Sequence, residues 1–584
     1  MTRSGRMTGL AAAVALAVGA GTAAGDGRIP DHLKQGPKPV ASGETVMVST
    51  QLRSVTEAAL EVLRDGGNAV DAAITAAFLQ GVQDYHQNHL FGSMTGLYYE
   101  AETGNYYAFN GYIERPKAGR CGDGDPTRVA IGGKMRGLKE LAERFGSRPW
   151  ESYVAPAIAA AEEGVEMTSF MYGVIFNTWT TSEYIRGNPD AREFYMPDGH
   201  LVSVGDRWKM PALAETLRKV QSDPDYMITG GFVERFIDKA QARGGCVTME
   251  DFEDYEILWS EPLRFTYRGR EIITEPPPVA GGQMLGYNLN VLQHFPLREQ
   301  GHYSESIETL ETMARTLART DIEVRWAMAD PRQFNVPTEL WLSPEYGRMS
   351  AEFVRQTMPR TDLPSGDDDT AAASRDGSAD DARPVVASVR DFLHFDDSNH
   401  NVIVDADGNW ITYLHTGHGG MPDMFLDGVA ATGSRRWVQT RGEGRRASTH
   451  VTATFIAEDG VPVLALGSPG TPAQPITQAL VSIIDFDMSP DQAVDAPKFW
   501  AYQHLGPDDS TQTSRDFLNL VTLQMESRVS DEVRRGIAAR GMQMFDRGDY
   551  MWNIGSIQIV WRDPDTGRLY GTSDPRRLGW ADGY

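Results

Sequence analysis

Residues 361–384 read TDLPSGDDDTAAASRDGSADDARP, with seven Asp and no aromatic residue. Such a stretch cannot bury enough apolar surface to offset the entropy of ordering itself, so it is a linker or a loose end. Directly after it comes HFDDSNHNVIVDADGNW, residues 394–410. This is an alternating run that reads as a buried strand, closed by a tight turn. Any fold for this chain must therefore take a disordered segment straight into the mouth of a strand at Ser398. A physical resolution is that the chain is cut between Asp397 and Ser398, making Ser398 a new N-terminus. On this reading residues 36–360 form a large subunit. Residues 361–397 are an acidic flexible linker ending at the cleavage site, and 398–584 form a small subunit.

The texture differs on the two sides of the linker. Before it, VSTQLRSVTEAALEVLRDGGNAVDAAITAAFLQGV, residues 48–82, reads as two helices. Apolar residues recur at spacings of three and four, Gly66 or Gly67 suits a left-handed helix end, and Asn68 suits a helix start. GLYYEAETGNYYAFNG reads as a hairpin, and helices follow at MRGLKELAERF, WESYVAPAIAAAEEG and about 281–330. After the linker, hairpins are predicted at NVIVDADGNWITYLHT, VTATFIAEDGVPVLALG and SIQIVWRDPDTGRLYGTSD, with one helix at PAQPITQALVSIID. Helices set apart from antiparallel strands predict a layered α+β fold.

Composition excludes some functions. The net charge is −25, with no basic run, so nucleic-acid binding has no support. Residues 1–25 place Arg3 and Arg6 before an Ala/Gly-rich apolar run that ends in small residues. This is the pattern of a signal peptide, and it predicts an exported protein, periplasmic or extracellular, with no membrane span. Cys121 and Cys246 carry no metal-site spacing; in an oxidising compartment they could form one disulfide.

Five segments resemble one family in its own order: GGNAVDAA (66–73), PPPVAGGQML (276–285), VIVDADGN (402–409), GVPVLALGSPG (460–470) and the terminal LYGTSDPRR with ADGY. The family is the gamma-glutamyltranspeptidases of the N-terminal-nucleophile hydrolases. The resemblance implies a four-layer αββα sandwich, made as one precursor and self-cleaved into two subunits. It also implies that SNHNVIVD matches a family pattern beginning T-T-H. That pattern puts Ser398 at the nucleophile, with Ser replacing Thr, Asn399 beside it and His400 on the family His.

Cleavage would create the catalyst. A hydroxyl is a poor nucleophile until a base takes its proton. A free α-amine titrates near 7.7–8.0 and can act as that base, whereas the amide of an intact Asp397–Ser398 bond cannot. One residue then supplies both groups, so no cofactor and no metal is implied. The resemblance further implies an oxyanion hole from the N–H groups of Gly470 and Thr471, in GSPGT. It also implies that Thr416 hydrogen-bonds the nucleophile; the other reading of Thr416 is a plain strand residue.

The substrate positions depart from the family. Tyr112, in YIERP, stands where the family has the Arg that takes a substrate carboxylate, leaving a displaced Arg115. His418 stands at a family Asn, Arg435 and Arg436 at a di-acid that would hold an ammonium, and Thr449 with His450 at a Ser pair. The family's Gly-rich loop reads HQNHLFGSMTG here. Exchanging an acid for Arg beside an ammonium replaces attraction by repulsion. The expectation is thus a small-molecule amide or peptide substrate other than a standard γ-glutamyl amide, and the Arg pair could take an anionic one. Two other classes stay open. His394, His400, His415, His418 and His450 fall within 57 residues, which invites a metal-dependent hydrolase. The lost Arg and Gly-rich loop invite a non-catalytic binding protein.

Overall fold

Strand Asn399–Val404 is buried along its whole length. It pairs antiparallel with Trp410–Thr416 through the turn expected from the sequence, and on its other edge with Met47–Thr50. The structure is a computed structural model that describes residues 35–117, 129–176, 185, 187–358, 398–417, 424–430, 445–470, 473–503 and 521–584. Residues 1–25, Cys121 and all but Ser398 of the 361–398 segment, Asp397 included, lie outside them.

Two seven-stranded sheets carry the core. The first runs Trp580–Gly583, Met47–Thr50, Asn399–Val404, Trp410–Thr416, Ser93–Glu100, Asn105–Gly111, Leu258–Ser260. The second runs Ala41–Gly43, Leu569–Ser573, Gln558–Arg562, Val461–Ser468, Thr452–Glu458, Arg270–Thr274, Leu263–Tyr267. Val402, Val404, Trp410 and Leu414 of the first meet Ile273, Phe455, Ala465 and Val560 of the second. Helices Arg53–Arg64, Ala69–Gln83 and Lys134–Phe145 cover the outer face of the first sheet. Helices Ala280–Leu292 and Ala473–Phe486 cover that of the second, and Ile307–Ala327 packs on the former. Each sheet thus has one face on the other sheet and one on helices, giving the four-layer αββα sandwich.

Both sheets mix strands from the two sides of the acidic run. Met47–Thr50, Ser93–Glu100, Asn105–Gly111 and Leu258–Ser260 enter the first sheet, and Ala41–Gly43, Leu263–Tyr267 and Arg270–Thr274 the second. The part before the acidic run, expected to be mostly helix with some sheet, thus supplies seven of the fourteen strands of these two sheets. Residues 48–50, read as the start of a helix, are strand, and the helix begins at Arg53. A strand buried on both faces loses the two-residue alternation that would reveal it. Val521–Met525 and Gln543–Asp546 also depart from expectation: they pair in parallel across helix Asp531–Ala539.

Local chemistry explains why two of the family-like segments read as they do. Asn68 accepts from Asp71 N–H at 2.9 Å and Asp71 accepts from Asn68 N–H at 2.8 Å, closing a capping box. Asp405 then accepts from the next free N–H of that helix, Ala69, at 2.8 Å. Its other oxygen takes the Asp407 and Asn409 N–H groups of the turn. One carboxylate therefore ties the outer helix to the hairpin that begins at Ser398. Among the described residues no helix is long and apolar enough to cross a membrane. Cys246 is disulfide-bonded.

Candidate active site

Side chains alternate faces along a strand, and Val402 and Val404 point between the sheets. Ser398 and His400 therefore share that inward face. On the neighbouring strand Trp410 and Leu414 point inward, and Thr412 and Thr416 with them. The register pairs Asn399 with His415, so Thr416 stands opposite Ser398 one step further on. Thr416 also pairs with Ser93 on its other side, and one step past the Met94–Gly111 pair Ser93 meets Tyr112. Ser398, Thr416, Ser93 and Tyr112 thus form a row across four adjacent strands. All four are at most 3% exposed.

The second sheet approaches this row closely. A Cβ on Gly467 would lie 2.4 Å from His400 Nε2, so only glycine fits there. The chain then turns at Gly470, whose φ of +84° is left-handed. Gly470 lies against Gly555 and the carbonyls of Asn553 and Ile554. Ser468 Oγ donates to Pro469 O at 2.9 Å and accepts from Ser556 N–H at 3.0 Å, fixing the turn. The GSPG segment therefore packs on the Ser398 strand at His400, through Gly467, and then enters a turn fixed by Ser468. Thr471 lies outside the described residues.

The positions expected to bind substrate are only partly brought together. Tyr112 is buried, its carbonyl accepting from Tyr255 OH at 2.6 Å. Segment 112–115 joins segment 445–447, with Ala447 N–H on Ile113 O at 2.8 Å and Arg115 N–H on Arg445 O at 3.1 Å. Thr449 is buried and its carbonyl accepts from Ala280 N–H at 2.7 Å, which joins it to PPPVAGGQML. Its hydroxyl accepts from Val451 N–H at 3.3 Å. His450 is half-buried on the same turn. His418, Arg435 and Arg436 lie outside the described residues.

The histidines point apart. His400 Nε2 meets Thr412 Oγ1 at 2.8 Å between the sheets, and burial pushes its pKa down to about 3. His415 Nε2 meets Gln80 Oε1 at 2.7 Å on the opposite face, and burial likewise holds it well below the usual range. Among the described residues no group of three His, Cys, Asp or Glu could hold a metal ion. His394 lies outside them.

Two clusters escaped the sequence. Arg446 is fully buried, donating to Glu114 at 3.2 Å and to the Asn110 and Glu256 carbonyls at 2.6 Å each. Arg332 meets the same Glu114 at 2.8 Å. The signal was Glu114 inside YIERP. Behind the Ser398 strand lies a second polar layer. Asn401 and Gln80 exchange amide hydrogen bonds at 2.8 and 3.0 Å, and Asn399 donates to Asp84. The signal was Asn at 399 and 401 in a strand buried on both faces, since buried amides require partners.

The family profile described as Gamma-glutamyltranspeptidase matches residues 55–420 and 436–584. Among relatives, the glutathione hydrolase proenzyme of Bacillus subtilis (strain 168) is 26% identical over 580 residues, covering 94% of this chain and 92% of the relative. The acylase ACY 1 proenzyme of Pseudomonas sp. (strain SE83) is 25% identical over 542 residues, covering 86% and 88%. The solved cephalosporin acylase from Bacillus halodurans shares the fold with a TM-score of 0.76 at 22% identity, covering 94% and 97%. With its sheets stacked face to face between helices and a profile match over most of its length, this chain belongs to the gamma-glutamyltranspeptidase family and is a hydrolase or acyltransferase of the N-terminal-nucleophile type.

Proposed function

We propose that the chain is a self-processing amide hydrolase or acyltransferase whose nucleophile is Ser398 and whose substrate is not a standard γ-glutamyl amide. The observation that carries the reading is the buried row Ser398–Thr416–Ser93–Tyr112, with Gly467 of the GSPG segment packed on His400 of the same strand. In processing, the Ser398 hydroxyl attacks the Asp397 carbonyl and the peptide C–N bond breaks as the nitrogen takes the proton. Water then opens the ester, leaving a carboxylate on Asp397 and a free amine on Ser398. In turnover that amine accepts the hydroxyl proton, the hydroxyl adds to the substrate amide, and the proton passes to the leaving amine. Water or an acceptor amine then releases the acyl group. Backbone N–H donors at 470 and 471 would each lower the barrier by about 2.7–4 kcal/mol.

The substrate reading rests on Tyr112. A buried phenol in the row cannot replace the charge of a guanidinium toward a carboxylate. The cation nearby, Arg446, is already committed to Glu114 and two carbonyls. The relatives' names point both ways, to glutathione hydrolysis and to acylase activity, so genuine γ-glutamyl turnover is the alternative. An inactive binding protein is a third. We also propose export through residues 1–25, with two subunits of one precursor as mutual partners.

N-terminal sequencing of the mature fragments tests processing and export together. The expected fragments are 26–397 and 398–584, and Ser398→Ala should remain one chain. Mature protein is then offered γ-glutamyl-p-nitroanilide and a panel of other amides. Turnover of the glutamyl substrate at a rate usual for such enzymes would overturn the substrate proposal; a single uncut chain with no turnover would favour the binding protein.

A further inference from the structure

The Ser398 strand is held unevenly. Residues 402–404 have sheet partners on both sides, but the strand Met47–Thr50 stops pairing at Val402. Asn399 to Asn401 therefore have a neighbour on one side only. Cutting the bond before Ser398 removes the covalent tether as well. Among the described residues one sheet neighbour, the Trp410–Thr416 strand, then holds the new chain end, and side-chain contacts add to it.

These contacts lie on the face turned away from the other sheet. Asp84 ends helix Ala69–Gln83 and is 1% exposed. Asn399 Nδ2 donates to its Oδ2. Gln87 Nε2 donates to Oδ1 at 3.2 Å, and Arg577, from the end of the chain, donates to Gln87 Oε1. Gln87 O in turn accepts from Gly417 N–H at 3.0 Å, beside Thr416. The same few residues thus grip both strands of the hairpin at the row containing Ser398. Asn399 Oδ1 is buried and has no hydrogen-bond partner among the described residues, so the grip on Asn399 comes from its amide nitrogen.

We propose that Asp84, acting through Asn399, is the positioning residue that holds Ser398 in attacking geometry, in self-cleavage and in turnover alike. The proposal rests on Ser398 being the nucleophile. Asp84 is not in the reaction path; its carboxylate is an acceptor that fixes the residue next to the nucleophile. A displacement of about 1 Å in an attacking group costs on the order of 100-fold in rate, so a lost anchor should be visible in kcat. Burial raises the Asp84 pKa to about 6, opposed by Asn399, Arg577 and Gln87. Around it, His86 Nδ1 is 3.2 Å away and held neutral by burial, with a pKa near 3, and the Arg577 guanidinium favours the carboxylate. The anchor should therefore weaken below about pH 6.

The test uses the full precursor with Asp84→Asn, which keeps shape and removes the acceptor charge. Self-cleavage is followed on denaturing gels as a function of pH, before any free amine exists to add its own titration. The expected result is a wild-type rate that falls below about pH 6, and an Asp84→Asn rate that is about 100-fold lower and flat across that range. In turnover by any fraction that matures, kcat should fall and KM should stay within about twofold, since substrate contacts are untouched. Should Asp84→Asn not fold, the exchanged pair Asp84→Asn with Asn399→Asp, which reverses donor and acceptor, takes its place; regained cleavage supports the anchor, and its absence in a folded protein overturns it. Unchanged rate and pH profile in Asp84→Asn, with Ser398→Ala uncut, overturns the anchor alone. Normal cutting of Ser398→Ala overturns the nucleophile and the anchor with it.

Discussion

Thr416 faces Ser93 across an antiparallel pair, and both side chains point between the two sheets beside the position of Ser398. The hydroxyl of Thr416 is thus on the strand and face from which the proposed nucleophile, Ser398, can be steadied. Thr416→Val keeps the shape and removes the hydroxyl. It should slow self-cleavage and kcat by roughly fivefold to tenfold, the worth of about 1 kcal/mol of hydrogen bonding, while Thr416→Ser stays near wild type. Single-turnover kinetics on the two variants checks this. Equal rates in Thr416→Val and wild type would make Thr416 a strand residue only.

Gly470→Ala separates backbone geometry from side-chain chemistry. At φ +84° an added Cβ would cost about 1–2 kcal/mol and would come within 3.1 Å of Gly555 Cα and Ile554 O. The turn must shift, and with it the N–H proposed to meet the oxyanion. The expected outcome is a loss in kcat on the order of 100-fold, larger than the loss of stability explains. Parallel measurement of kcat and the thermal midpoint decides it.

Glu275 gives a pH signature unconnected with catalysis. It is buried between the sheets, where Thr95 donates to one oxygen and Ala453 N–H to the other at 2.7 Å. Burial raises its pKa to about 8 against those bonds. Between its unfolded value and about 8 the folded state holds a proton that the unfolded state has lost. Stability is full below that window and declines as pH rises through it, by about 1.4 kcal/mol per pH unit from this group. Glu275→Gln can keep both contacts without ionising. Its urea midpoint should exceed that of wild type at pH 8, with the two converging toward pH 4.

Arg576 tests the terminal segment. It is fully buried, binding both oxygens of Glu526 at 2.6 and 2.8 Å and Asp574 at 3.0 Å. Lysine cannot reproduce the two parallel bonds. Arg576→Lys should lower stability by about 1–3 kcal/mol, because the paired bonds to Glu526 are lost while Arg528, 2.8 Å from the same carboxylate, stays. Equilibrium urea unfolding measures it. A shift under about 1 kcal/mol would mean that Arg528, 2.8 Å from Glu526, compensates.

Much of the molecule was legible in its residues. The three hairpins after the linker announced themselves by alternation and by turns such as Asp459–Gly460, both of which take positive φ. Asn68 declared its helix start because an amide cap is a local contact. The strands Met47–Thr50 and Arg270–Thr274 did not, since burial on both faces erases their pattern. Asp84 and Asn399 are 315 residues apart, and no local rule links them.

The sequence alone determined which segments could be strand, helix or linker, and singled out a hydroxyl at the head of a buried strand, because these properties depend on near neighbours and on apolar periodicity. Tertiary structure alone decided that both halves of the chain interleave in the same two sheets, that Ser398, Thr416, Ser93 and Tyr112 share a row, and that a buried carboxylate lies behind them. Those facts arise from register and from layers pressed together, where residues far apart in the chain must satisfy one another's hydrogen bonds once water is excluded.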